Sequence, residues 1–289
     1  MSSPALRGGG LPRTVLRLHR SALLAWAVFV AGASGWLVWL AEVTGKDPNT
    51  RDLPCVGDCD TLHLLMGYPT QLSWAGDLIG YGFVAVAGFA GGSLIGRELE
   101  YGTAQLAWTQ GITPVRWLTA KLALPALAVT AGGTILVLVF RWVSASPPDP
   151  SLQFDWTWDT AFMARGPLLV AYALCALAVG VLTGLLLRRA LAALGAAAGA
   201  MWLLNAVLTS YRFRLWPAVT RTGPHAFDIP DNVALVNEGG DGDSRFATYQ
   251  PPSHYWPLHL TETAIVLTVA ALAVLLSFRL LKHRTEPSA

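Results

Sequence analysis

The chain is organised by long apolar runs separated by polar stretches of very unequal length. The runs cover residues 22–41, 72–96, 117–140, 167–187, 191–208 and 261–281. Each is close to the ~20 residues that a helix needs to cross a hydrocarbon core of about 30 Å. They are continuous, unlike the short alternating segments of a transmembrane β-barrel. A helix satisfies its own backbone hydrogen bonds in lipid, so the pattern predicts six transmembrane helices. The second run is the most interrupted. Asp77 and several glycines lower its hydropathy, yet no Asp, Glu, Lys, Arg or His falls between Leu78 and Ile95.

The first run has a competing reading as a cleaved leader, because Arg7, Arg13, Arg17 and Arg20 precede it and Ala31-Gly32-Ala33 resembles a cleavage site. Apolar sequence resumes at once with Trp36-Leu37-Val38-Trp39-Leu40, which makes the run too long for a leader's apolar core. It is therefore read as the first span of a single transmembrane domain over residues 1–289. Composition agrees: 13% of residues are charged and 53% hydrophobic, where soluble chains carry about 25% charged residues.

Charge placement orients the spans. With six crossings, residues 1–21, 97–116, 188–190 and 282–289 share one side of the membrane. Counting Lys121 and Arg279 at adjoining span ends, that side holds twelve of the 20 lysines and arginines, and its only acids are Glu98, Glu100 and Glu286. An excess of lysine and arginine marks the cytoplasmic face, so both termini are expected there. The loop over residues 209–260 then lies outside. Its prolines and Gly239-Gly240 predict an irregular surface segment rather than a further helix or a separate domain.

Candidate chemistry is sparse. Cys55 and Cys59 sit in the first outer loop and form a possible disulfide in an oxidising compartment, with a reduced pair as the alternative. A metal set built on them and His63 is the weaker reading, and no metal site is expected. Cys175 lies inside the fourth span and reads as a packing residue. No HExxH, GxSxG or GxxxxGK[ST] motif occurs, so the chain is expected to be no enzyme, to bind no cofactor itself and to have no nucleic-acid partner. Asp77, Lys121 and Glu262 lie near span ends, where they are expected to reach the interface, and no chain of buried carboxylates or histidines suggests an ion-coupled carrier.

Small residues are more informative. Gly76, Gly80, Gly88, Gly92 and Gly96 recur at four-residue spacing along the second run, and Gly195 and Gly199 stand among alanines in the fifth. Such spacing lets helices approach closely where lipid provides no hydrophobic drive for association, either within the chain or at an interface.

The segment between the second and third runs carries the densest set of candidate residues: Arg97, Glu98, Glu100, Tyr101, Gly102, Thr103, Trp108 and Gln110. Thr103 is expected to cap a short helix that Gly111 ends. Thr113 then caps again, with Pro114 at the first helical position of the third span. Tyr101, Leu106 and Trp108 would bury against the membrane or a partner; a plain connecting loop with an interfacial tryptophan is the alternative.

The turn Glu98-Leu99-Glu100-Tyr101-Gly102-Thr103, then Leu106-Ala107-Trp108-Thr109-Gln110 and Arg116-Trp117-Leu118-x-x-Lys121-Leu122, resembles the ABC-2 type permease family, especially permeases of actinobacterial export systems. Tyr249-Gln250-Pro251-Pro252-Ser253-His254-Tyr255-Trp256-Pro257, followed by Glu262, is similar too. Gly111-Ile112-Thr113-Pro114 departs from the pattern, since many relatives are more polar there. The resemblance implies an all-α membrane protein with the type V exporter-like permease fold, multi-pass in a bacterial plasma membrane. It implies a homodimer or heterodimer of permease subunits, each docking a separate ABC ATP-binding subunit through residues 97–116. ATP and Mg²⁺ would be held by that partner, and Glu98 and Glu100 would meet its basic residues. The pathway would lie at the subunit interface near the second and fifth spans and export an amphipathic or lipid-like small molecule. Two other classes stay open. One is a non-transporting scaffold or sensor subunit. The other is an intramembrane enzyme, which would need Asp77, His63 and Glu262 around a shared cavity.

Overall fold

A computed structural model describes residues 20–43, 67–145, 155–230, 232–241 and 244–285. Cys55, Cys59 and His63 lie outside the described residues, so the possible disulfide has no structural account. Among the described residues, six helices are long and apolar enough to cross a membrane: Arg20–Glu42, Thr70–Glu100, Pro114–Ala145, Leu168–Leu187, Ala190–Arg214 and Pro252–Arg284. They are spans one to six. Because the number is even, the start of span one and the end of span six fall at one end of the bundle, here called the termini end, together with the loops around residues 101–113 and 188–189.

The interrupted hydropathy of the second run has a structural counterpart. Span two is built from α2 (Tyr68–Gly80), α3 (Gly82–Phe89), a π-helical segment (Ala90–Gly96) and α4 (Arg97–Glu100), with a break at Tyr81. After α5 (Thr103–Thr109), span three is the single helix α6 (Pro114–Ala145). A short helix α7 (Asp159–Ala164) precedes α8 (Leu168–Leu187), which is span four. Helix α9 (Ala190–Tyr211) forms most of span five and α10 (Tyr255–Thr285) most of span six, while α1 (Arg20–Glu42) is span one.

Helix α8 is apolar on every face, as a helix must be when it is surrounded. Buried residues make up 72% of its membrane window, against 22% for α1, so it is the central post of the bundle. It packs against α10, the π segment, α9, α3 and α6. The approach of the π segment is glycine-dependent. A Cβ on Gly91 would stand 2.7 Å from the Ala193 carbonyl oxygen and 3.2 Å from that of Gly180, so only glycine lets the π segment wedge between α8 and α9.

The connection between spans five and six differs from the irregular segment that its prolines and glycines predict. It folds into a three-stranded antiparallel sheet, order β1-β3-β2, from β1 (Val219–Thr222), β2 (Ala234–Gly239) and β3 (Phe246–Gln250). Val219 and Leu235 both pair with Tyr249, with a register irregularity between Leu235 and Asn237. The prolines and Gly240 fall outside the strands, Gly239 ends β2, and the β-rich stretches between them supply the strands. The Gln250 amide donates to the carbonyls of Phe213 and Trp216 at 2.9 and 2.8 Å, and Trp156 Nε1 donates to Asn232 O at 2.8 Å. These bonds fasten the sheet onto the bundle at the end opposite the termini.

Candidate coupling surface at the termini end and a buried network at the sheet end

At the termini end, span two runs on as helix through Arg97–Glu100 before it turns, and Pro114 already belongs to α6. The exposed connection is therefore shorter than the segment 97–116. The turn is made by Gly102, whose φ of +71° is a left-handed conformation that glycine adopts without a Cβ penalty. Gly102, not Thr103, is the N-cap of α5, and it makes no side-chain capping bond. The Thr103 hydroxyl instead reaches back to the Glu98 carbonyl at 3.2 Å, which staples the turn onto the end of α4. The second cap is as expected: Thr113 Oγ1 accepts the Arg116 N–H at 3.3 Å, with Pro114 at the first helical position.

Both candidate carboxylates of this segment have partners inside the chain. Glu98 pairs with Lys121, which is buried in α6 and not spread into the interface. Glu100 Oε2 accepts the Ala190 N–H at 2.8 Å, capping the first turn of span five with a negative charge where the helix dipole favours one. A tight pair of bonds thus ties the α4–α5 corner to the bases of spans three and five. Trp108 turns inward and meets Trp117 edge-on, ring centroids 5.8 Å apart. Tyr101 and Leu106 face out, 73% and 60% exposed, beside exposed Thr109, Gln110 and Arg97.

The glycine positions divide. Gly80 lies against Met163, Gly88 and Gly92 lie against Leu194, and Gly96 lies against Ala190, so the span-two stripe is used within the chain. Gly195 and Gly199 meet nothing within 4 Å and sit on an exposed face of α9 with Leu191, Trp202 and Leu203. Gly180 and Gly184 on α8 are the partners that close the packing against Ala87 and Ile95, and neither stood out in sequence.

The sheet end holds a network that the sequence does not reveal. Glu262 was expected to reach the interface, but it is fully buried. The reason is Arg212, which follows the last turn of α9 and is itself fully buried. Its Nε donates to Glu262 Oε2 at 2.8 Å, its Nη1 to Asp159 Oδ1 at 2.6 Å and its Nη2 to Thr209 Oγ1 at 3.3 Å. Tyr172 of α8 donates its hydroxyl to Glu262 Oε1 at 3.1 Å. The guanidinium lies 4.3 Å from the centre of the Phe162 ring, a cation–π contact. Next along α7, Thr160 donates to Asp77 Oδ1 at 3.0 Å, so Asp77 too is held by a partner. Asp77 and Glu262 are thereby joined through α7 and Arg212 without touching.

His259, one turn before Glu262, accepts the Leu168 N–H at 3.1 Å through Nε2 and so satisfies a donor at the start of α8 that has no intrahelical acceptor. A charged pair buried among apolar helices persists only when its hydrogen-bonding capacity is met nearby. Here every contributing element is different: spans four, five and six and the short helix α7. The arrangement is a clasp of the sheet end.

One comparison matches the chain. The model of the family described as ABC-2 membrane transporter related matches residues 25–214, which includes spans one to five and the α4–α5 corner. No curated protein and no solved structure matches.

Proposed function

The chain belongs to the ABC-2 membrane transporter related family, and from that premise we propose that it is the membrane-spanning subunit of an ATP-driven exporter whose ATP-binding partner docks on α5. The family and the six apolar helices make it a transporter membrane subunit. The observation that carries the docking assignment is the pair Tyr101 and Leu106. Both are exposed at a polar end of the bundle, where a large apolar side chain gains most from being covered. The corner that presents them is stapled to spans three and five through Lys121 and the Ala190 N–H. A push on α5 would therefore displace two spans together, which is what a motor outside the membrane requires.

In this reading ATP and Mg²⁺ belong to the partner, and the termini end faces the cytoplasm of a bacterial cell, in accord with its lysine and arginine excess. Two subunits pair across small-residue faces, and the exposed Gly195–Gly199 face of α9 is available for that pairing. The cargo is an amphipathic or lipid-like small molecule moved outward.

The test is co-purification of the chain with an ATP-binding protein encoded beside it. Leu106→Asp and Tyr101→Ala are expected to abolish or weaken the complex at least tenfold while leaving the thermal unfolding midpoint of the isolated chain unchanged. An intact complex in both variants overturns the docking surface. Absence of any ATP-binding partner for the unaltered chain favours a scaffold or sensor subunit.

A further inference from the structure

We propose that the bundle carries a dedicated site for one acyl chain of an anionic membrane phospholipid, in a recess between spans one, two and three on the termini side. The recess has a volume of about 480 Å³ and is walled by Trp26, Phe29, Gly82, Ala85, Pro125 and Ala128. It lies apart from both the coupling surface and the sheet-end clasp.

The chemistry of the lining selects the occupant. Apart from the Ser21 hydroxyl at its mouth, the lining residues present apolar side chains and the Trp26 indole N–H. That N–H is already spent on the Ala128 carbonyl, at 2.9 Å. A recess with so few polar partners does not hold ordered water, and its size is that of sites that bury a substantial apolar ligand. Small residues at Ala22, Ala25, Gly82 and Ala85 leave the space that larger ones would fill.

Its dimensions fit one leaflet. From Ser21 to Phe29 the α1 wall is about 12 Å long at 1.5 Å per residue, close to half of a hydrocarbon core of about 30 Å. The recess begins at the termini end of α1, where exposed Arg20 stands next to Ser21. An exposed cation one residue from the termini-end mouth of an apolar slot about half a hydrocarbon core long matches a negatively charged headgroup with its chain in the slot. Charge and length together point to an anionic phospholipid of that leaflet.

The experiment uses the full chain in phosphatidylcholine vesicles doped with phosphatidylglycerol that carries a photoreactive group on an acyl chain. Cross-links are expected to concentrate severalfold in the peptides covering residues 20–29, 82–89 and 124–129 relative to the exposed face of α10 around Leu272 and Leu276. Ala85→Trp fills the recess from a position that is exposed and so tolerates bulk; Ala128→Leu is the second blocking variant. Either is expected to cut recess labelling at least threefold with α10 labelling unchanged. Arg20→Gln is expected to remove the excess of labelling by phosphatidylglycerol over equally labelled phosphatidylcholine. Even labelling of the recess and α10, or labelling that both blocking variants leave intact, overturns the site. Equal labelling by the two lipids in the unaltered chain overturns its anionic character. A photoreactive amino acid at position 85 that captures protein in place of lipid assigns the recess to a protein segment and also overturns the proposal. None of these readouts needs an ATP-binding partner, so failure here and failure of the docking assignment are separate results.

Discussion

Arg212 and Glu262 meet through Nε and Oε2 at 2.8 Å with both side chains fully buried, joining the end of span five to the first turns of span six. The pair is costly to desolvate and costly to break, and these two facts predict different outcomes for single and double variants. Arg212→Met or Glu262→Leu alone is expected to destabilise the chain by about 3–5 kcal/mol, since each leaves the partner charge buried without its counterpart. The double variant Arg212→Met, Glu262→Leu is expected to lose much less than the sum of the singles. Asp159→Asn is expected to cost no more than about 1 kcal/mol, because the Asp159 side chain is 59% exposed and water screens it. Thermal unfolding of the purified variants checks all three, and additive losses in the double variant would show that the pair is not coupled.

The pairing of Glu98 with buried Lys121 predicts a charge-reversal rescue. Glu98→Lys and Lys121→Glu are each expected to uncouple ATP turnover from transport, because the α4–α5 corner loses its hold on span three. The double reversal is expected to recover a substantial part of the coupling. Docking of the ATP-binding partner should survive in all three variants, since neither side chain lies on the exposed face of the corner. A double variant no better than either single would separate the ion pair from coupling.

Much of this architecture is legible in the sequence because bilayer thickness sets a minimum apolar length that every span must reach. Thr113 and Pro114 likewise announce the start of span three through purely local chemistry. What is not legible depends on partners far apart in the chain. Glu262 looks like a span-end carboxylate until Arg212, fifty residues earlier, and Tyr172, ninety earlier, close around it. Helix α7, which contributes Asp159 and Thr160, is only six residues long and lies outside every hydrophobic run. The strands of the outer connection are four to six residues each, too short to stand out among prolines and glycines. Gly102 was passed over as a cap because capping is read from side-chain oxygens, whereas here the turn needs a backbone conformation.

The division among the glycines predicts opposite results for one type of substitution. Gly91→Leu forces a side chain into the 2.7 Å gap before the Ala193 carbonyl. Overpacking of this kind is expected to cost about 1–3 kcal/mol or more and to lower the unfolding midpoint of the isolated chain. Gly195→Leu and Gly199→Leu meet nothing within 4 Å and are expected to leave that midpoint nearly unchanged. If the face they occupy joins two subunits, the same two variants will reduce cross-linked dimer in vesicles. A dimer unaffected by both would place the subunit contact elsewhere.

The charge asymmetry that orients the six spans can be tested with single cysteines on either end of the bundle. Glu238 lies on an exposed position of β2, at the sheet end, and Gln110 is exposed beside the α5 corner, at the termini end. Both variants carry Cys55→Ser and Cys59→Ser, and the native Cys175 thiol, buried in span four, should contribute little background. With both termini inside, Glu238→Cys is expected to react with a membrane-impermeant maleimide in intact cells, and Gln110→Cys only after the membrane is opened. The reverse pattern would turn the bundle over and place α5 beyond the reach of a cytoplasmic ATPase. Labelling at both positions in intact cells would instead contradict six complete crossings. The first outcome is the one that the lysine and arginine excess around Arg97, Arg116, Arg188 and Arg189 requires.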